Sequence, residues 1–185
     1  MSDSSALPRV ILDLELPPFL ATLFDGICEF VPWSWLDADE ASRAAVKGML
    51  TYAHPVVDGT VLDRLPNLTT ISNYGVGVDH IHLDAAKARD LTVGNTPGAV
   101  DGATADLTMA LLLAVARNVV PGDAYARGPD FKYYDPVNLL GRDVFGATLG
   151  IVGMGRIGRM VARRARGFDM TVIYHNRRPL GAEEE

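Results

Sequence analysis

The chain has 185 residues, of which 48% are hydrophobic and 22% charged, a composition ordinary for a soluble globular protein. Its net charge of −6 argues against a general binder of nucleic acid or of acidic membranes. The single cysteine, Cys28, excludes an internal disulfide and a cysteine-built metal cluster; with no secretory signal in the first twenty residues and no apolar run long enough to span a bilayer, a cytosolic protein is expected.

In chain order, Arg9 to Leu14 reads as a buried strand around Val10, Ile11 and Leu12. Pro17-Pro18 opens a helix through Phe24, since proline is tolerated in a first turn. A strand at Cys28 to Val31, a helix at Asp37 to Val46, a strand at Gly48 to Tyr52 and a helix at Asp58 to Leu65 follow. Leu68 to Ser72 is the next strand, Leu83 to Arg89 the next helix, and Thr92 to Gly94 a last short strand. Strands alternating with helices at this pitch imply a parallel sheet covered on both faces. The fold class is therefore α/β, with a flavodoxin-like first domain over residues 1–100. Asp101 to Asn118 is the longest helical stretch, with a broad apolar face through Ala105, Leu111, Leu112 and Val115, and Pro121-Gly122 is expected to end it. Such a face is core by default; its width and small residues also suit contact with a partner subunit. Phe131 to Gly146 lacks periodicity and is expected to wrap the surface, and the chain closes on an acidic run, Glu183–Glu185.

Between these lies the stretch with the clearest chemistry. The apolar run ending at Val152 leads into Gly153-Met154-Gly155-Arg156-Ile157-Gly158, then an amphipathic segment from Arg159 to Phe168, then a second apolar run from Met170 to Tyr174. Strand, tight glycine turn, helix and parallel strand form the context in which G-x-G-x-x-G binds a dinucleotide. Gly153 permits the turn, Gly155 lets backbone approach a pyrophosphate, and Gly158 lets helix pack on strand, with the first helical N–H groups facing the phosphates. Residues 101–185 are thus read as an incomplete Rossmann domain. At the tip of its second strand an NAD-selective site usually carries Asp or Glu for the ribose hydroxyl; here stand Asn176, Arg177 and Arg178. Guanidinium groups pair with a 2′-phosphate that a carboxylate would repel, so NADP(H) is expected over NAD(H). The alternative is that the two arginines belong to a solvated loop.

Three stretches in order resemble the D-isomer-specific 2-hydroxyacid dehydrogenases. They are Ser72-Asn73-Tyr74-Gly75-Val76-Gly77-Val78-Asp79-His80-Ile81, then Gly94-Asn95-Thr96-Pro97-Gly98 leading to Ala103-Thr104-Ala105-Asp106, then the glycine turn with its polar tip. Within the family the first stretch and the Asn-Arg-Arg tip look most like glyoxylate/hydroxypyruvate reductases. The resemblance implies that Val76 and Gly77 hold the substrate carboxylate through their backbone N–H groups, an anion-binding concavity that glycine leaves open. Gly75 and Gly77 could instead serve only to turn the chain. It further implies that Thr104 lines the cofactor cleft, the alternative being an ordinary first-turn threonine, and that the intact protein is a homodimer acting on a small 2-oxo acid. Asp106 stands where relatives more often carry glutamate, a mild departure expected to change little.

Reducing a 2-oxo acid also needs a cation on the carboxylate and carbonyl, a general acid and a carboxylate to orient it. The family uses arginine, histidine and glutamate, all placed beyond the second Rossmann strand, so no catalytic residue is assigned here. His54 and His175 are poor substitutes by position; His80 and His82 lie beside the substrate loop, but His82 begins a helix and His80 is expected to bond locally. The chain is therefore expected to be a fragment of a protein of about 320 residues. The competing reading is a catalytically silent dinucleotide-binding or subunit-interaction protein.

Overall fold

The computed structural model describes residues 7–181, which divide into two compact units, the first reaching Pro97 and the second beginning at Gly98. The acidic end Glu183–Glu185 lies outside the described residues. In the first unit, β1 (Arg9–Leu12), β2 (Glu29–Pro32), β3 (Val46–Thr51), β4 (Thr70–Asn73) and β5 (Thr92–Gly94) form one parallel sheet in the order β2-β1-β3-β4-β5. That order is the flavodoxin-like one. Because successive strand side chains point to opposite faces, Ile11, Val31, Met49 and Ile71 join a large core with Leu36, Val57, Leu62, Leu65 and Ile81. On the other face Val10, Phe30 and Leu50 meet Leu16, Leu20 and Phe24.

The helices of this unit are shorter than the sequence suggests. They are α1 (Pro18–Ala21), α2 (Glu40–Ala44), α3 (Gly59–Asp63) and α4 (Leu83–Lys87). Asp39 and Asp58 set two of the starts, accepting hydrogen bonds from the Ser42 and Val61 amides at 3.0 Å each. Residues 33–37 make a separate 3₁₀ turn, and Val46, expected at the end of a helix, instead opens β3 opposite Arg9. β1 stops two residues early for a visible reason. The Asp13 carboxylate turns across to accept the amides of Tyr52 and Ala53 at 2.7 and 2.8 Å, closing the gap where β1 and β3 part.

The second unit contains α5 (Asp101–Ala116), α6 (Val119–Arg127), β6 (Thr148–Val152), α7 (Arg156–Ala165) and β7 (Thr171–His175), with β6 and β7 parallel. Ala105 and Met109 of α5 pack on Val161 of α7, with Leu149, Ile151 and Phe168 around them. Pro121-Gly122 does not end the long helix. Asn118 does so, in the left-handed region at φ 51°, and Pro121 falls in the first turn of α6, where a missing N–H is harmless. The Asn118 amide also donates to the carbonyls of Leu139 and Leu140 at 3.1 and 3.4 Å. α7 likewise starts at Arg156 rather than Arg159, because Gly155 is its N-cap. Residues 128–147 form neither helix nor strand. Among the described residues no single helix is long and apolar enough to cross a membrane.

Candidate functional site

In the second unit the β6–β7 ladder runs on into the glycine turn. Val152 pairs with His175, and the Gly153 N–H donates to the His175 carbonyl at 2.9 Å. Gly153 then takes φ 96°, which turns the chain into α7. A Cβ on Gly158 would strike the Gly153 carbonyl oxygen, so helix and turn touch as backbone. Gly155 differs, since a Cβ there would meet nothing within 4 Å. The turn, the end of β7 and Leu180 enclose a cleft of about 870 Å³ lined by Gly153, Met154, Gly155, Arg159, His175, Asn176, Arg177 and Arg178.

The residues expected to bind a cofactor are thus not equivalent. Gly153, Gly155, Arg177 and Arg178 face one cleft. Met154 and Asn176 line it too, but they are bonded to each other, the Met154 N–H donating to the Asn176 side-chain oxygen at 2.7 Å. Asn176 therefore buttresses the turn. Gly158 is buried beneath Gly153, and neither it nor Ile157 lines the cleft. The Arg156 guanidinium turns away to the Asp101 carboxylate, 3.0 Å distant and buried at the start of α5. Thr104, in the first turn of α5, donates its hydroxyl to the Val100 carbonyl at 2.9 Å. Asp106 has a definite partner, accepting from Arg164 at 2.6 Å, while Arg164 also donates to the Gly102 carbonyl at 3.2 Å, so that α5 and α7 are clamped together. Arg159, one residue past the last glycine, also joins the cleft, and its place four residues after Gly155 on the helix is the sequence signal that points to it.

In the first unit the loop after β4 carries Val76 and Gly77. Three successive carbonyls along it are tied from within: Gly75 accepts from Thr96 N–H at 3.0 Å and from Asn73 Nδ2 at 3.1 Å, Val76 from Asn95 Nδ2 at 2.9 Å, and Gly77 from Asn73 Nδ2 at 2.9 Å. Among the described residues nothing accepts a hydrogen bond from the Val76 or Gly77 N–H. Asn73 and Asn95, which hold the loop, lie within the stretches that carry the resemblance, but the sequence assigns them no role.

His80 does not bond locally. Its Nε2 lies 3.5 Å from the Thr51 hydroxyl, and its ring meets the His54 ring edge to face at 4.7 Å. Burial first, then the neighbouring His54, pushes the His80 imidazole below the usual histidine range, against the opposite pull of Asp13 and Asp79. His82 precedes α4, as its position suggested. No cluster of three or more His, Cys, Asp or Glu able to hold a metal occurs among the described residues.

Residues 109–185 match the family model of the D-isomer specific 2-hydroxyacid dehydrogenase, NAD binding domain. The glyoxylate reductase of Thermococcus litoralis is 46% identical over 190 residues, covering 96% of this chain and 57% of that protein. The chain belongs to the D-isomer specific 2-hydroxyacid dehydrogenase family. The likeness extends to solved structures. A protein of Thermus thermophilus superposes with a TM-score of 0.80 at 44% identity, covering 93% of this chain and 57% of that one. An NADPH-dependent glyoxylate/hydroxypyruvate reductase of Sinorhizobium meliloti gives 0.84 at 27% identity, covering 95% and 56%. This family member spans a little over half the length of these relatives.

Proposed function

We propose that this chain supplies the substrate loop and the dinucleotide turn of an NADP(H)-dependent reductase of small 2-oxo acids, glyoxylate and hydroxypyruvate foremost. The observation that carries the reading is that Arg177 and Arg178 line the same cleft as Gly153 and Gly155. Gly155 supports it, because the protein's own packing gives no steric reason for glycine there, whereas a pyrophosphate lying against the backbone would. The free first-turn N–H groups of α7 would face the phosphates, and the two guanidinium groups would pair with a 2′-phosphate. When bound, NADPH supplies the hydride. Val76 and Gly77 would orient the acid by its carboxylate. No residue of this chain is assigned the proton transfer. The glyoxylate reductase of Thermococcus litoralis and the NADPH-dependent enzyme of Sinorhizobium meliloti favour the same substrate class. We also propose a homodimer built on the exposed face of α5.

Spectrophotometric NADPH oxidation by the full-length protein with glyoxylate and hydroxypyruvate tests the reading. Turnover is expected with at least one acid, and Arg177→Ala with Arg178→Ala should weaken NADPH about tenfold or more while leaving NADH little changed. Tighter NADH than NADPH binding by the unaltered protein would overturn the cofactor. Binding without turnover of either acid would favour a silent dinucleotide-binding protein.

A further inference from the structure

We infer that Asn73 is a positioning residue that aims the Val76–Gly77 amides at their ligand, with Thr51 holding Asn73 in its working orientation. The inference rests on the anion-binding role proposed for that loop. Thr51 and Asn73 are register partners at the ends of β3 and β4, with 0% and 1% of their surfaces exposed. A buried amide at a strand end needs partners for all its polar atoms. Two of the groups facing Asn73, the carbonyls of Gly75 and Gly77, can only accept, so they fix the NH₂ end of the side chain toward the loop. The oxygen end must then face Thr51, whose hydroxyl donates to it at 2.8 Å. The orientation of Asn73 is determined on every side.

Peptide planarity carries this orientation to the loop surface. In a trans peptide the carbonyl of one residue and the N–H of the next point in opposite directions. Drawing the Gly75 carbonyl inward therefore turns the Val76 N–H outward, and the inward Val76 carbonyl, held by Asn95, turns the Gly77 N–H outward. Asn73 further anchors the Gly77 carbonyl, which has no other donor among the described residues. Two outward N–H groups on adjacent residues make a concavity suited to a carboxylate. Their direction is set by the asparagine behind them.

The test uses the full-length protein, with steady-state kinetics for glyoxylate and calorimetry with sodium oxalate as a non-reacting carboxylate probe. Asn73→Ala is expected to raise KM for glyoxylate and weaken oxalate about tenfold, with NADPH affinity unchanged and a smaller effect on kcat. Asn73→Asp should show a similar defect at neutral pH, because its carboxylate faces two carbonyls, and the defect should shrink as acidification protonates it into a donor. A purely structural role would not produce that pH profile. Should the Asn73 variants fail to fold, Thr51→Val is expected to weaken oxalate several-fold and Thr51→Ser to restore it. Oxalate affinity within about twofold of wild type in Asn73→Ala, or in Thr51→Val where only that variant folds, overturns the inference, as does wild-type protein that binds no oxalate. Wild-type protein that binds oxalate but turns over neither acid would remove the proposed reaction and leave the loop assignment standing.

Discussion

A side chain at position 158 would drive its Cβ into the Gly153 carbonyl, whereas one at 155 would stand in open space. Neighbouring glycines of one motif thus differ: packing demands the one at 158, while the protein's own packing makes no demand at 155. Gly158→Ala is expected to lower unfolding stability by about 2 kcal/mol or more, since the atom it would strike is the Gly153 backbone carbonyl rather than the end of a flexible side chain. Gly155→Ala should stay within about 0.5 kcal/mol of wild type yet weaken NADPH binding markedly. Urea unfolding and calorimetry separate the two. His80 belongs to the same scale. Its folded proton affinity lies below the ordinary histidine value of 6.5, so as pH falls through that value the unfolded chain takes up the proton first. Stability of the first unit should therefore decline as pH drops below 6.5, and level off once the folded imidazole is protonated as well. Replacing it, as in His80→Gln, should flatten that slope in urea titrations between about pH 7.5 and 5.

At the scale of elements, the sequence was readable where period and punctuation agreed. β5 and β6 run as their apolar runs imply, and the five strands of the first unit all appear. The misjudged ends have local causes: Asp39 capping α2, Asp13 stopping β1, and Asn118 rather than Pro121-Gly122 ending α5. Pro121 starts a helix rather than ending one. Only Asn118's left-handed backbone, with its side-chain bonds to Leu139 and Leu140, distinguishes the two. Asn118→Val is accordingly expected to destabilise the second unit by about 2 kcal/mol in urea unfolding, because a β-branched residue resists φ 51° and cannot make either bond. The Asp101–Arg156 and Asp106–Arg164 pairs show the same limit on reading a linear chain. Partners 55 to 58 positions apart become neighbours only when α7 lies on α5.

For the whole molecule, α5 presents Leu107, Leu111 and Val115 at successive four-residue steps, with 59%, 57% and 78% of their surfaces exposed. An apolar face of α5 is thereby left to solvent in the isolated chain. The proposed homodimer predicts that Leu111→Glu together with Val115→Glu halves the mass of the full-length protein in light scattering; an unchanged mass would remove the dimer through α5. The order of strands and helices, the α/β class, the glycine turn and the family were all legible in the sequence, because periodicity, turn residues and motif spacing are local properties of a chain. What the tertiary structure alone decided was direction. It turned Arg156 to Asp101 while keeping Arg177 and Arg178 on the cleft, bonded Asn176 to the turn, and set Thr51 and Asn73 behind the loop that carries Val76 and Gly77. Each depends on strand register or helix packing, which bring together side chains that no spacing along the sequence connects.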